Sequence, residues 1–267
     1  MATTTQRHTG LFLIIVVNLI GVVAFAAPFF SQAQAQTSDV TNVRSGESLL
    51  LMLVLMAVCL VVLLAQLGAS LNTKSIALMG VLLAVNSVLR LLDLLVPMPG
   101  GFSPIFLLII LIGYAYGAQL GFLMGSLTLF ASALFTGGVG PWLPFQMFTA
   151  GWIGVLAGLL PHRLQRYPHV EVWLLAAFGA VMGMAYGFII NLYFWPFFAG
   201  TAEQSWQTGL SLGDSLSRYL VFYGITSAVW DIFRAIGNFV LLMALGPALL
   251  RALRRFHARF FTEIVTV

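Results

Sequence analysis

The sequence predicts an all-α polytopic membrane protein with about eight transmembrane helices, a six-helix core preceded by two N-terminal spans. Three observations carry this. Of 267 residues, 60% are hydrophobic and only 7% charged, with a mean hydropathy of +1.01; a soluble domain carries roughly 25% charged residues. The surface therefore faces lipid. The apolar residues also fall into runs close to the ~20 residues that cross a bilayer. Finally, the basic residues sit between the runs and at the C-terminus, in "RALRRFHARF" from Arg251 to Phe260. That placement follows the positive-inside rule, and it turns the formal charge of +4 away from a nucleic-acid partner.

In order, the predicted spans are Leu11–Phe30, Leu49–Gly68, Ile76–Val96, Pro104–Gly117, Leu120–Phe135, Pro144–Leu160, Val172–Phe198 and Leu216–Leu250. The run from Pro104 to Phe135 would measure about 48 Å as one helix, against a hydrocarbon core of about 30 Å. A break near Tyr116–Gln119 is expected. Residues 1–75 form the two N-terminal spans with a polar outer linker, Ser31–Ser48; residues 76–250 form the core, and residues 251–267 a basic cytoplasmic tail. The first span has a second reading, as a signal peptide cut near Ala33 or Ala35.

Orientation follows from the charges. With the N-terminus inside, the inner side receives Arg7, Lys74, Arg163, Arg166, Arg251, Arg254, Arg255 and Arg259. The outer side receives Arg44 and Arg218 beside Asp39, Glu47, Glu203 and Asp214. Both termini are expected in the cytoplasm, unless the first helix is cleaved.

Small residues four apart mark close helix contacts in lipid: Gly179, Gly183 and Gly187, then Gly154 and Gly158, with Gly113–Gly117 and Gly121–Gly125 around the expected break. "ALMGVLLA", Ala77 to Ala84, places Ala77, Gly80 and Ala84 on one helical face. If that face does not pack internally, it is free to dock another membrane protein.

Ionisable groups inside a bilayer are expensive and usually functional. Arg90 and Asp93 form one couple in the third span, Asp231 and Arg234 another in the eighth, each three residues apart. Each couple is either a local ion pair, joined by Asn86 or Asn238, or part of a site. Counted along the spans, Arg90 and Asp93 approach the outer surface and suit contact with an arriving solute. Asp231 and Arg234 count as lying past the middle towards the cytoplasm and as architectural.

Polar and aromatic residues gather at the outer ends: Trp142 and Gln146, then Asn191, Tyr193 and Trp195, then Trp206, Arg218, Tyr219 and Tyr223. An interfacial aromatic belt accounts for Trp and Tyr but not for Gln146 or Asn191. A shared outward-facing pocket with a few placed polar groups accounts for all of them. The corner "GGVGPWLPFQM" fits such a pocket, its prolines fixing the backbone and Pro144 standing in a helix's first turn.

Catalytic constellations are missing. The histidines His8, His162, His169 and His257 do not cluster, and Cys59 stands alone. "GASLNTKS" has Thr73 where a phosphate-binding loop needs glycine. Neither an enzyme nor a resident cofactor or metal is expected.

The run "FSPIFLLIILIGYAYGAQLGFLMGSL" followed by "GGVGPWLPFQMFTAGWIGVLAGLLP" resembles the substrate-binding S component of energy-coupling factor (ECF) vitamin transporters, over a core from Ile76 to about Leu250. The resemblance implies capture of a vitamin or cofactor precursor from outside. Delivery then requires a transmembrane coupling protein and two cytoplasmic ATPases, with the S component toppling in the membrane. It also implies docking through an A-x-x-x-A motif on the first core helix, here Gly80 and Ala84 with Ala77, Gly80 departing from alanine. The implied ligand site lies around Pro97–Ser103, Phe135–Pro144 and Phe197–Ser215, with Gln146, Asn191 and Tyr219 adjoining. Through its G-P-W-type corner the resemblance favours a cobalamin-like or related large ring-bearing cofactor. The Trp- and Tyr-rich rim suits a flat conjugated ligand, since rings stack on rings, which would also admit riboflavin or a queuosine-type base. Competing readings are a stand-alone secondary transporter and a non-transporting membrane scaffold; the internal repeat expected of the former is not found.

Overall fold

The computed structural model describes residues 15–29 save 17, residue 57, and residues 73–95 and 102–261. The second predicted span, Leu49–Gly68, and the linker Ser31–Ser48 fall outside these limits apart from residue 57. All regular structure among the described residues is helical. The helices are α1 (Asn18–Phe29), α2 (Thr73–Leu95), α3 (Ile105–Tyr116), α4 (Ala118–Thr136), α5 (Leu143–Gly158), α6 (Pro168–Phe194), α7 (Leu212–Thr226) and α8 (Ala228–Phe261). Short 3-10 turns at His162–Arg166 and Trp195–Phe197 join some of them. Among the described residues, three stretches, Ala118–Thr136, Pro168–Phe197 and Ala228–Phe256, are long and apolar enough to cross a membrane.

The break expected near Tyr116–Gln119 falls at Gly117, whose φ of 99° suits only glycine comfortably. Its N–H bonds the carbonyl of Gly113 at 2.9 Å while its own carbonyl accepts from Gly121 at 3.0 Å, so one residue closes α3 and opens α4. At 12 residues α3 is about 18 Å long, too short to span. It is buried on every side from Ile105 to Tyr114, touching α2, α4, α5, α6 and α8. This helix is the core.

Around it, glycine seams set the spacing. Gly113 and Gly121 lie against the backbone of Gly154, and Gly125 against that of Ala150, with no room for a Cβ. Ser126 seals this seam by donating to the carbonyl of Met147 at 3.0 Å. In the second seam, Gly183 faces the backbone of Ala235 and Gly179 faces Leu242, with Asn238 donating to the carbonyl of Gly179 at 3.0 Å. The small-residue stripes of α4, α5 and α6 are thus packing surfaces. Gly80 differs, having nothing within 4 Å of where a Cβ would stand.

The eighth predicted span, Leu216–Leu250, is two helices. Ser227 leaves the helical conformation with φ −138°, separating α7 from α8. Thr226 turns its hydroxyl back onto the carbonyl of Phe222 at 2.7 Å, and Ser227 accepts a 2.8 Å bond from the amide of Asn191. Side chains that bond nearby backbone or a neighbouring helix compete with helix continuation; apolar periodicity runs straight through such a break. At the other end of α7, the Ser211 hydroxyl caps the amide of Asp214 at 3.1 Å. The helix α8 continues to Phe261, so Arg251 and its basic neighbours extend it.

Antiparallel α6 and α8 meet at Gly187 with Asp231 and at Gly183 with Ala235. The end carrying the C-terminus of α6, assigned to the exterior by the charge asymmetry, is termed outer here.

Candidate functional site

The outer end holds a connected aromatic cluster. Trp195, Tyr219 and Phe222 are its buried members, with Phe29, Phe188, Phe198 and Trp206 packed on them. Tyr219 lies 5.1 Å from Trp195 and edge-on to Phe188 at 5.0 Å between ring centroids. Edge-to-face geometry sets the positive ring edge against the negative face of a neighbour. The Tyr219 hydroxyl donates to the carbonyl of Phe188, fixing α7 on α6. Trp195 donates its indole N–H to the carbonyl of Gln204 at 2.8 Å, and Arg218 reaches the carbonyl of Ser205 at 3.3 Å. The connection between α6 and α7 is therefore tied down from both helices.

Beneath the cluster lies a charged node. Asp231, 2% exposed, is paired with Arg234 and accepts from the Tyr223 hydroxyl at 2.8 Å. Arg234 also stands 5.3 Å over the ring of Tyr186. The expectation that Asp231 and Arg234 lie past the middle towards the cytoplasm is therefore corrected. Because Ser227 breaks the chain, Asp231 is in the first turn of α8 and abuts Gly187 near the outer end of α6. Depth counted along an unbroken span ran too far. The local ion pair is present, but Asn86 and Asn238 do not join it: Asn86 bonds Ile105 and Thr128, both at 3.1 Å, and Asn238 bonds Gly179.

The glycine–proline corner closes on itself. Gly137 takes the left-handed conformation, φ 66°, ending α4. Trp142 folds over Gly140 and donates to the carbonyl of Gly138 at 3.1 Å, its outer face remaining exposed. Pro144 is in the first turn of α5, as expected. Gln146 is half-buried, and its side chain has no hydrogen bond among the described residues. Phe145 stacks on Tyr193 at 4.1 Å, joining the corner to the α6 rim.

Among the predicted site residues, the structure brings Asn191, Trp195, Tyr219 and Tyr223 together around the α7–α8 break, with Arg218 above them. Tyr193 belongs to the neighbouring α5–α6 contact through Phe145, Gln146 is half-buried in the first turn of α5, and Trp142 belongs to its own loop. Arg90 is half-buried on α2. The side chain of Asp93 lies outside the described residues. The face of Ala77, Gly80 and Ala84 is exposed along α2.

Sequence reasoning missed Phe188, Phe198 and Phe222, apolar residues without a distinguishing local signal. It also missed a polar cluster at the opposite end. There, Glu171, 2% exposed, accepts from Tyr114 at 2.8 Å and pairs with Arg254, while His162 stacks on Tyr114 at 5.0 Å. One acid at the head of α6, amid inner basic residues, was the available clue.

A family model described as the substrate-specific component of ECF transporters matches residues 74–246. No curated protein and no solved structure matches the chain. Such components are transport subunits rather than enzymes; they bind small molecules and work with a membrane coupling protein and ATPases. The matched residues run from the start of α2 well into α8, taking in the buried α3, both glycine seams and most of the outer aromatic cluster. A multi-pass helical membrane protein matched over well more than half its length in this way belongs to the ECF transporter substrate-specific components.

Proposed function

We propose that this subunit captures a ring-bearing vitamin or cofactor precursor, a cobalamin-like compound being favoured, from outside the cell. It sits in the plasma membrane with both termini inside and holds no cofactor of its own. The observation that carries the reading is the aromatic cluster of Trp195, Tyr219 and Phe222 with Trp206 at its edge, at the end that the charges assign to the exterior. Flat conjugated ligands stack on ring faces, and the partly exposed rings at the cluster's edge, Phe198 and Trp206 with Phe197 beside them, offer such faces over the buried rings. The half-buried amide of Gln146 offers both a donor and an acceptor.

Delivery proceeds through a membrane coupling protein that two cytoplasmic ATPases drive. The exposed face of Ala77, Gly80 and Ala84, bare at Gly80, supports docking there, because small side chains let two membrane helices approach closely.

The test is capture without transport. Purified chain in nanodiscs is titrated with cyanocobalamin, riboflavin and a queuosine-type base, and native mass spectrometry reads any molecule that co-purifies. The same chain alone in liposomes should concentrate none of them. Accumulation by the lone polypeptide would overturn the division of labour and restore a stand-alone transporter.

A further inference from the structure

We infer that α1, outside the residues matched to the family, is a retained brace of the outer aromatic site, with Phe29 as its positioning residue. The inference rests on the reading that this cluster receives the substrate, and it concerns what holds the cluster's loop in place.

Helix α1 has one inward face. Gly21, Ala24, Phe25 and Pro28 are buried, whereas Leu19, Val22 and Val23 are exposed. The spacing of three, four and seven residues is that of a single helical stripe. Its partner is α5. A Cβ on Gly21 would stand 2.7 Å from the Phe148 ring and 3.0 Å from Trp152, so glycine is required for this approach. One turn on, Phe25 sits edge-on to Phe145 at 5.0 Å and 77°, and 5.5 Å from Trp152. A targeting segment removed after export has no need of a face fitted to the mature core.

At the outer end of α1, Phe29 meets two tryptophans from different elements. Its ring is edge-on to Trp195 at 6.0 Å and to Trp206 at 5.5 Å. Trp195 closes α6, and Trp206 belongs to the connection of residues 198–211. Trp206 packs on the buried cluster itself and takes an edge-on contact from Phe29. Trp195 already holds this connection at Gln204 and Arg218 holds it at Ser205. Phe29 adds a ring that bridges Trp195 and Trp206, bracing Trp206 against the cluster it packs on. The wall of the site is thus completed by a residue beyond the family core.

Hydrogen–deuterium exchange on the full chain in lipid nanodiscs, with intact mass measured first, tests this. The mature chain should retain Phe29. Phe29→Ala should speed exchange across residues 204–209 roughly tenfold through loss of two edge-on contacts. Phe29→Leu, which keeps apolar bulk without a ring, should do the same, and Phe29→Tyr should restore the slow rate. Amides of residues 163–171 at the opposite end should not change, separating local release from general destabilisation. A mature chain that begins beyond Phe29, or unaltered exchange at 204–209 in both ring-less variants, overturns the inference. No ligand enters the measurement, so its outcome is independent of whether the capture reading stands.

Discussion

Asp231 lodges its carboxylate against Gly187, in the space where any other residue would carry a Cβ. The acid is held there by Arg234 and by the Tyr223 hydroxyl, so it cannot swing away without losing a partner. Gly187→Ala should therefore lower stability by about 1–3 kcal/mol, the usual range for overpacking. Thermal unfolding in detergent measures it. An unchanged midpoint would mean that the carboxylate moves freely.

Removing one member of the Asp231–Arg234 pair should cost more than removing both. Arg234→Met strands a buried carboxylate, a loss of about 3–5 kcal/mol. Adding Asp231→Asn to that variant removes the stranded charge and should recover most of the loss. A double-mutant cycle on unfolding midpoints reads the coupling; simple additivity would contradict the pairing.

At the inner end, Glu171 is the shared acceptor for Tyr114 and Arg254. Tyr114→Phe should cost about 1 kcal/mol, one hydrogen bond's worth. Glu171→Leu should cost more, because it leaves both partners unsatisfied. Arg254→Ala strands a carboxylate that is only 2% exposed and should also cost more than Tyr114→Phe. Unfolding midpoints rank the three, and Tyr114→Phe as the costliest would refute the shared-acceptor arrangement.

Two glycines should respond in opposite ways to the same change. A Cβ at Gly80 would meet nothing within 4 Å, so Gly80→Leu should leave the unfolding midpoint of the isolated chain within about 0.5 kcal/mol of the parent. It should nevertheless abolish uptake by the assembled transporter. Gly121→Leu drives a side chain into the backbone of Gly154 and should prevent folding. Normal uptake by the Gly80 variant would exclude this face as the dock.

Gln146 and Asn191 separate along the same line. Asn191 donates to Gly187 and Ser227, both at 2.8 Å, so Asn191→Ala should lose stability together with ligand affinity. Gln146→Ala should weaken ligand binding by about tenfold, the loss of one or two hydrogen bonds, with stability unchanged. Isothermal titration with the ligand identified by mass spectrometry, beside a melt, distinguishes them. Equal affinity in both variants would remove the two amides from the site.

Legibility in the sequence followed the strength of the local signal. Gly117 was readable because the apolar run around it was too long for one span, and the stripes of α4, α5 and α6 because four-residue glycine spacing has one main use in lipid. Ser227 was not readable: Leu216–Leu250 keeps its apolar periodicity across the break, and the bonds from Thr226 and Asn191 depend on the fold. The depth error at Asp231 followed directly. Trp142 and Trp195 looked alike as interfacial aromatics, yet one closes its own loop and the other is buried in the cluster.

The sequence by itself determined that this chain lives in lipid and which faces pack by glycine, because hydrophobicity and residue size act locally. Only the tertiary structure decided which polar residues meet: Asp231 with Tyr223, Asn191 with Ser227, Glu171 with Arg254, and Phe29 with two tryptophans. Those pairings join helices far apart in the chain, and their partners are fixed by helix register and by where each helix ends.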